Sequence, residues 1–102
     1  MNKRTKAVAI SPEVKKIVYE RDDGWCILCG MPVSIHHANA HVIPRSKGGL
    51  GVEQNIVTLC GECHTMYDFS PNRNAIYNII MKYIIRKYPT YNVQDVTYRK
   101  GK

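Results

Sequence analysis

No stretch of this chain is long and apolar enough for a membrane span. Its longest apolar stretch, Ile76 to Ile85, is broken by Asn78 and Lys82, whereas a span needs about 20 residues. The amino-terminal end offers only Ala7-Val8-Ala9-Ile10 as an apolar run. That is shorter than the roughly 7–15 residues of a secretory signal core, so secretion is not expected. There is no internal repeat and no low-complexity block. Acidic residues are scarce at both ends. Residues 1–16 carry five bases and one acid (+4), and residues 70–102 carry seven bases and one acid (+6). The middle, residues 17–69, carries three bases and six acids (−3), so the net +7 lies in the tails. A basic excess of this kind suits a polyanionic partner, most often nucleic acid.

The 102 residues suit one compact domain. With 44% hydrophobic and 23% charged residues, the composition is that of a globular protein rather than a disordered one. A chain of this length buries only about 60–65% of its unfolded surface, so its core is thin and a covalent or metal staple would help.

The four cysteines supply such a staple. They form two pairs, Cys26-Ile27-Leu28-Cys29 and Cys60-Gly61-Glu62-Cys63, with Gly30 directly after the first. Two cysteines separated by two residues reach one ion from a tight turn, and four thiolates hold zinc tetrahedrally. Two disulfides would be the alternative, but they belong to secreted proteins. A structural zinc site at Cys26, Cys29, Cys60 and Cys63 is therefore expected. Residues 30–59 between the pairs exceed the roughly 15–20 of a minimal zinc ribbon, and they hold three of the four histidines.

Three segments are expected: a basic flexible arm over 1–10, a core over 11–70, and a carboxy-terminal helix with a basic tail over 71–102 packed on that core. Ser11-Pro12-Glu13 reads as a helix start, with a hydroxyl cap, proline at the first position and an acid favoured by the dipole. Asp22-Asp23-Gly24 stops that helix. Val33 to Ile43 reads as a strand or short hairpin, Arg45 to Gly51 as a glycine-rich loop, and Ile56 to Leu59 as a strand. A helix begins near Cys63 and breaks at Ser70-Pro71. Residues 74–88 read as a long helix with a narrow polar stripe of Asn74, Asn78, Lys82 and Arg86. The rest of that helix's surface would be buried, in the core or against a second copy.

The chemistry-bearing residues are His41, Asn55 and His64. His41 opens the string His41-Val42-Ile43-Pro44-Arg45-Ser46-Lys47-Gly48-Gly49. Asn55 lies upstream of the second cysteine pair, and His64 directly follows it. In these features, over residues 12–68, the sequence resembles the HNH endonuclease family. The resemblance implies an α+β fold: the ββα-metal (His-Me finger) motif with a structural four-cysteine zinc site and flanking helices. It also implies metal-dependent hydrolysis of DNA phosphodiesters, nicking or cutting duplex DNA.

The residues fit that chemistry. Hydrolysis needs a base to activate water, positive charge at the phosphate and help for the leaving oxygen. His41 is the candidate general base, because an imidazole accepts a proton near neutral pH. Asn55 would orient it, with an amide or a backbone carbonyl of its loop fixing the ring. His64 would bind a catalytic divalent cation, Mg²⁺ or another ion such as Mn²⁺ or Ni²⁺. Arg45 and Lys47 would grip backbone phosphates. Many family members carry a metal-binding aspartate immediately before the first histidine, but here that position is Ala40. Asp68, one helical turn after His64, ranks first as its replacement, followed by His37 and then Asn39. A restored carboxylate at position 40 would be expected to raise Mg²⁺ affinity. Taken singly, His36 and His37 read as surface residues.

Ala40 gives weight to a rival, a non-catalytic zinc-dependent DNA-binding or recruitment module. Standalone proteins of this kind and size resemble those of bacteriophages. That implies a place in the cytoplasm of a bacterial host and partners among phage DNA-processing or packaging proteins. The charge map adds that DNA affinity should reside in the arms: Lys3, Arg4 and Lys6 at one end, and Arg73, Lys82, Arg86, Lys87, Arg99, Lys100 and Lys102 at the other. Trimming residues 1–10 and 97–102 would then weaken binding without altering the chemical step.

Overall fold

The computed structural model describes residues 3–98. Arg99, Lys100 and Lys102 of the expected basic tail lie outside the described residues. The elements run α1 (Lys3–Val8), α2 (Pro12–Arg21), β1 (Asn39–His41), β2 (Ile56–Thr58), α3 (Gly61–Phe69) and α4 (Arg73–Lys87). Single 3₁₀ turns occur at Arg45–Lys47, Glu53–Asn55 and Val93–Val96. This is an α+β chain whose centre is a ββα unit, two short antiparallel strands followed by a helix. Among the described residues no helix is long and apolar enough to cross a membrane.

Helix α2 starts where its cap dictates. The Ser11 hydroxyl accepts from the Val14 N–H at 3.2 Å and Pro12 occupies the first turn. Strand β1 pairs antiparallel with β2, setting Asn39 opposite Thr58, Ala40 opposite Val57 and His41 opposite Ile56. The strand is shorter than Val33–Ile43: residues 35–37 form a turn, with the His37 N–H bonded to the Ser34 carbonyl at 3.0 Å. Alternation along β1 buries Ala40 and leaves Asn39 and His41 half-exposed on the other face.

The core is built from Ala40, Val42, Val57 and Leu59 of the hairpin, Tyr67 of α3, and Ile80 and Ile84 of α4. The Tyr67 hydroxyl donates to the Val42 carbonyl at 2.6 Å, locking α3 onto the chain leaving β1. Burial of the ring pushes the Tyr67 hydroxyl up to about 12, so it stays protonated and able to donate. Helix α4 packs on the core along Ile76, Tyr77, Ile80, Tyr83 and Ile84, but its solvated side is wider than the polar stripe suggested. Ile79 and Ile85 are each about half exposed.

A buried charge pair joins α2 to the rest. The Arg21 guanidinium forks onto both oxygens of Asp22, at 2.7 and 2.9 Å, and donates to the carbonyls of Glu53 and Ile56, each at 2.8 Å. It also lies over the rings of Tyr83 and Tyr88. Asp22 in turn accepts from the Thr58 N–H at 3.0 Å and from the Tyr83 hydroxyl. With each partner satisfied, the desolvation cost of a buried ion pair is offset, and α2, β2 and α4 are held in one register.

The amino-terminal residues differ from the flexible arm expected of them. Residues 3–8 form α1 and Val8 is buried. Residues 1–10 carry no helical periodicity, and a six-residue helix has little stability of its own. Docking against the loop after β1 holds it in place.

Candidate functional site

Two sites flank the ββα unit. The first is the cysteine cluster. The sulfurs of Cys26, Cys29, Cys60 and Cys63 all lie within 4.8 Å of one another. Four Zn–S bonds of about 2.3 Å require sulfurs about 3.8 Å apart, and Cys29 and Cys60 stand 3.7 Å apart. The donor set and spacing therefore fit a tetrahedral ion. Burial works against ionising the Cys26 thiol, but the backbone N–H groups of Cys29, Cys60 and Leu28 outweigh it, lowering the thiol to about 7. Burial and its thiol neighbours instead push Cys63 up. Four thiolates cannot share so small a volume without a cation between them. The first pair sits in a turn closed by the Gly30 N–H to the Cys26 carbonyl at 2.8 Å. The second caps α3, where the Cys60 sulfur accepts from the Cys63 N–H. The ion site thus also fixes the start of the helix that carries His64.

The second site is an open cleft of about 600 Å³ between β1, the Arg45–Lys47 turn and α3. It brings together Asn39, His41, Arg45, Lys47, His64 and Asp68, with Ile10, Pro44, Ser46, Phe69 and Arg73 completing its walls. Six residues selected from the sequence as site candidates, Asn39, His41, Arg45, Lys47, His64 and Asp68, share this space. His64 Nε2 is 3.2 Å from Asp68 Oδ2, one helical turn on. That is near the roughly 3 Å between adjacent ligand atoms in an octahedron of 2.0–2.1 Å bonds, so the pair fits a divalent cation. Asn39 contributes an orphan: its Oδ1 is buried without a hydrogen-bond partner, on the same strand face as His41. A buried acceptor left unpaired is costly unless a ligand or ion satisfies it.

Ala40 faces away from the cleft. It is 1% exposed and packs in the hydrophobic core. A carboxylate at position 40 would therefore enter the core unpaired and would not reach the cleft, correcting the expectation that restoring it raises Mg²⁺ affinity. His36 and His37 are exposed in the turn before β1, and neither lines the cleft.

His41 is held by a group the sequence did not reveal. Its Nε2 lies 2.8 Å from the carbonyl oxygen of Val8 in α1. Burial lowers its pKa below the ordinary imidazole value. The Val8 carbonyl pulls it the other way, and the nearby Arg45 and His64 charges add to the lowering. Asn55, expected to orient this ring through its side chain or its own loop, is fully buried and occupied elsewhere. Its Oδ1 accepts from the Ile43 N–H at 2.9 Å, and its Nδ2 donates to the carbonyls of Ile43 and Leu50 at 3.2 and 3.0 Å. Asn55 thus ties both ends of the loop between the strands. That loop passes so close to itself that a Cβ at Gly49 would lie 1.7 Å from the Ile43 carbonyl oxygen. Asn55→Ala should cost about 2–4 kcal/mol, because it strands the part-buried Ile43 N–H and two carbonyls. Urea unfolding checks this, and a loss below about 1 kcal/mol would show that the loop closes without it.

Arg73 is a further wall residue, assigned from the charge map to the basic tail. It stacks on Tyr67 at 4.2 Å from the ring centre and donates to the Tyr67 carbonyl at 2.8 Å, beside Asp68 at 3.7 Å. Its position after Ser70-Pro71 was the one available signal that it returns to the cleft.

The profile of the HNH endonuclease family matches residues 26–69, a stretch holding all four cysteines, His41, Asn55, His64 and Asp68. The chain is 31% identical over 82 residues to the type IV methyl-directed restriction enzyme EcoKMcrA of Escherichia coli, covering 74% of this chain but 30% of that enzyme. It is 36% identical over 55 residues to anaredoxin of Nostoc sp., covering 54% of this chain and 71% of that protein.

Proposed function

Because the chain belongs to the HNH endonuclease family, we propose that it hydrolyses phosphodiester bonds of DNA at the cleft, with His41 as general base. The observation that carries this reading is the convergence of His41, His64, Asp68, Arg45 and Lys47 on one open cleft. His64 and Asp68 would hold a divalent cation, Mg²⁺ or a softer ion such as Mn²⁺ or Ni²⁺ given the imidazole. Asn39, whose Oδ1 is buried without a partner, lines the same cleft from β1. The cation, when bound, supplies positive charge at the scissile phosphate and the leaving oxygen.

The protein's own groups do the rest. Arg45 and Lys47 seat the strand through flanking phosphates. His41 takes a proton from water as the water oxygen bonds to phosphorus. The bond from phosphorus to the 3′ oxygen breaks, and that oxygen recovers a proton from solvent. Asn55 acts by holding the loop that carries Pro44 to Lys47, so its contribution is to position that loop. Zinc is the ion proposed for the four cysteines, with a structural role. The resemblance to small standalone phage proteins supports a place in the cytoplasm of a bacterial host, with phage DNA-processing or packaging proteins as partners.

Incubating supercoiled plasmid with the full chain tests the reading. Mg²⁺ or Mn²⁺ should yield nicked or linear DNA, and EDTA should stop the reaction. Retarded but uncut plasmid with every divalent ion would establish the non-catalytic binding module instead.

A further inference from the structure

Helix α1 and the residues that follow it lie outside the family-matched stretch, yet they dock against residues that line the cleft. Four contacts dock them there. Arg4 donates from one nitrogen to the carbonyls of Arg45 and Ser46, at 3.2 and 3.0 Å. The Gly51 N–H donates to the Ala7 carbonyl at 3.0 Å, and His41 Nε2 meets the Val8 carbonyl at 2.8 Å. Ile10 then forms part of the cleft wall. The last carbonyls of a helix have no partner within it, and here Gly51 and His41 satisfy two of them. The fit depends on glycine, because a Cβ at Gly51 would lie 2.0 Å from the Ala9 carbonyl oxygen.

A carbonyl oxygen has no proton to give, so the hydrogen between it and His41 sits on Nε2. The neutral ring then carries its lone pair on Nδ1, the form a general base needs, and the bond fixes the ring's rotation as well. Asn55 is committed to Ile43 and Leu50, so it does not share this task. We infer that the backbone carbonyl of Val8 is the positioning group for His41, which makes the α1 segment part of the catalytic apparatus and not only a basic arm for DNA. The inference rests on the reading of His41 as base, and it opposes the expectation that residues 1–10 affect affinity alone.

Two variants of the full chain test it. Gly51→Ala displaces the segment while keeping every cation. Arg4→Ala removes two docking bonds, and Arg4→Lys restores the charge and a donor. Near-UV circular dichroism and bound zinc confirm folding. In the wild type, the His41 Nε2–H proton should be visible by NMR and slow to exchange with water, without DNA or added divalent ion. In Gly51→Ala and Arg4→Ala that proton should disappear. The kcat should fall by about ten- to hundredfold, with DNA affinity in Gly51→Ala changed less than about twofold and Arg4→Lys partly restored. Survival of the ring proton in both variants overturns the inference, as does a kcat indifferent to its loss. A wild-type protein that binds DNA but never cuts it overturns the nuclease reading, and the ring proton still decides whether Val8 holds His41.

Discussion

Replacing Cys60 with serine, or removing the cysteine-bound ion with a strong chelator, should unfold the protein rather than loosen one end of it. Cys26, Cys60 and Cys63 are part of the same buried cluster as Val57, Leu59, Tyr67 and Ile80. An ion held by the four cysteines would therefore sit inside the core. Structural zinc contributes about 10–16 kcal/mol to folding in small domains, whereas whole domains are stable by about 5–15 kcal/mol. Losing the ion exceeds what the remaining contacts can supply. Far-UV circular dichroism during chelation should show a cooperative loss of helix, and native mass spectrometry should show one zinc per chain beforehand. A chelated protein that melts like the untreated one would mean the four thiols are held together by packing alone. The test also reaches the cleft. Cys60 caps α3, and the His64 N–H bonds the Cys60 carbonyl at 2.8 Å, so His64 and Asp68 should be misplaced wherever the cysteine cluster is opened.

The parts of this architecture that were legible in the sequence are those encoded by side-chain type at fixed spacing. Two cysteine pairs announce a four-thiol site because only a tight turn brings such pairs to one point. Ser11-Pro12 announces α2 because hydroxyl capping and the fixed φ of proline are local effects. His64 and Asp68 share a helix face because 3.6 residues make a turn. What was not legible depends on the backbone or on distant packing. Val8 holds His41 through its carbonyl, a group every residue has, so no residue identity marks it. The α1 segment lacks periodicity because docking bonds, not an amphipathic face, keep it helical. Strand β1 was overestimated because β-branched residues at 33–38 resemble a strand, whereas only Asn39–His41 find a partner in β2. That shortening removes His37 from the cleft face and leaves Asn39 on it. Asn55 was expected at the ring, but its three side-chain bonds close the loop.

His41→Ala should abolish cleavage by about 10²–10⁴-fold while leaving DNA affinity nearly unchanged. A general base acts on the transition state, so its loss appears in kcat and not in ground-state binding. The cleft geometry supports the split, because the phosphate-gripping candidates Arg45 and Lys47 sit on the neighbouring turn and do not bond the ring. His64→Ala should also abolish cleavage, but through loss of the cation, and the two routes separate by titration. Raising Mn²⁺ from micromolar to tens of millimolar should recover part of the His64→Ala activity, since the Asp68 carboxylate remains in the cleft as a ligand. The same titration should recover none of the His41→Ala activity, because no cation replaces a missing proton acceptor held at one angle. Single-turnover nicking across the metal series measures both. Recovery of His41→Ala by metal would make His41 a ligand and not the base. Normal cleavage by either variant would move the active site out of this cleft altogether.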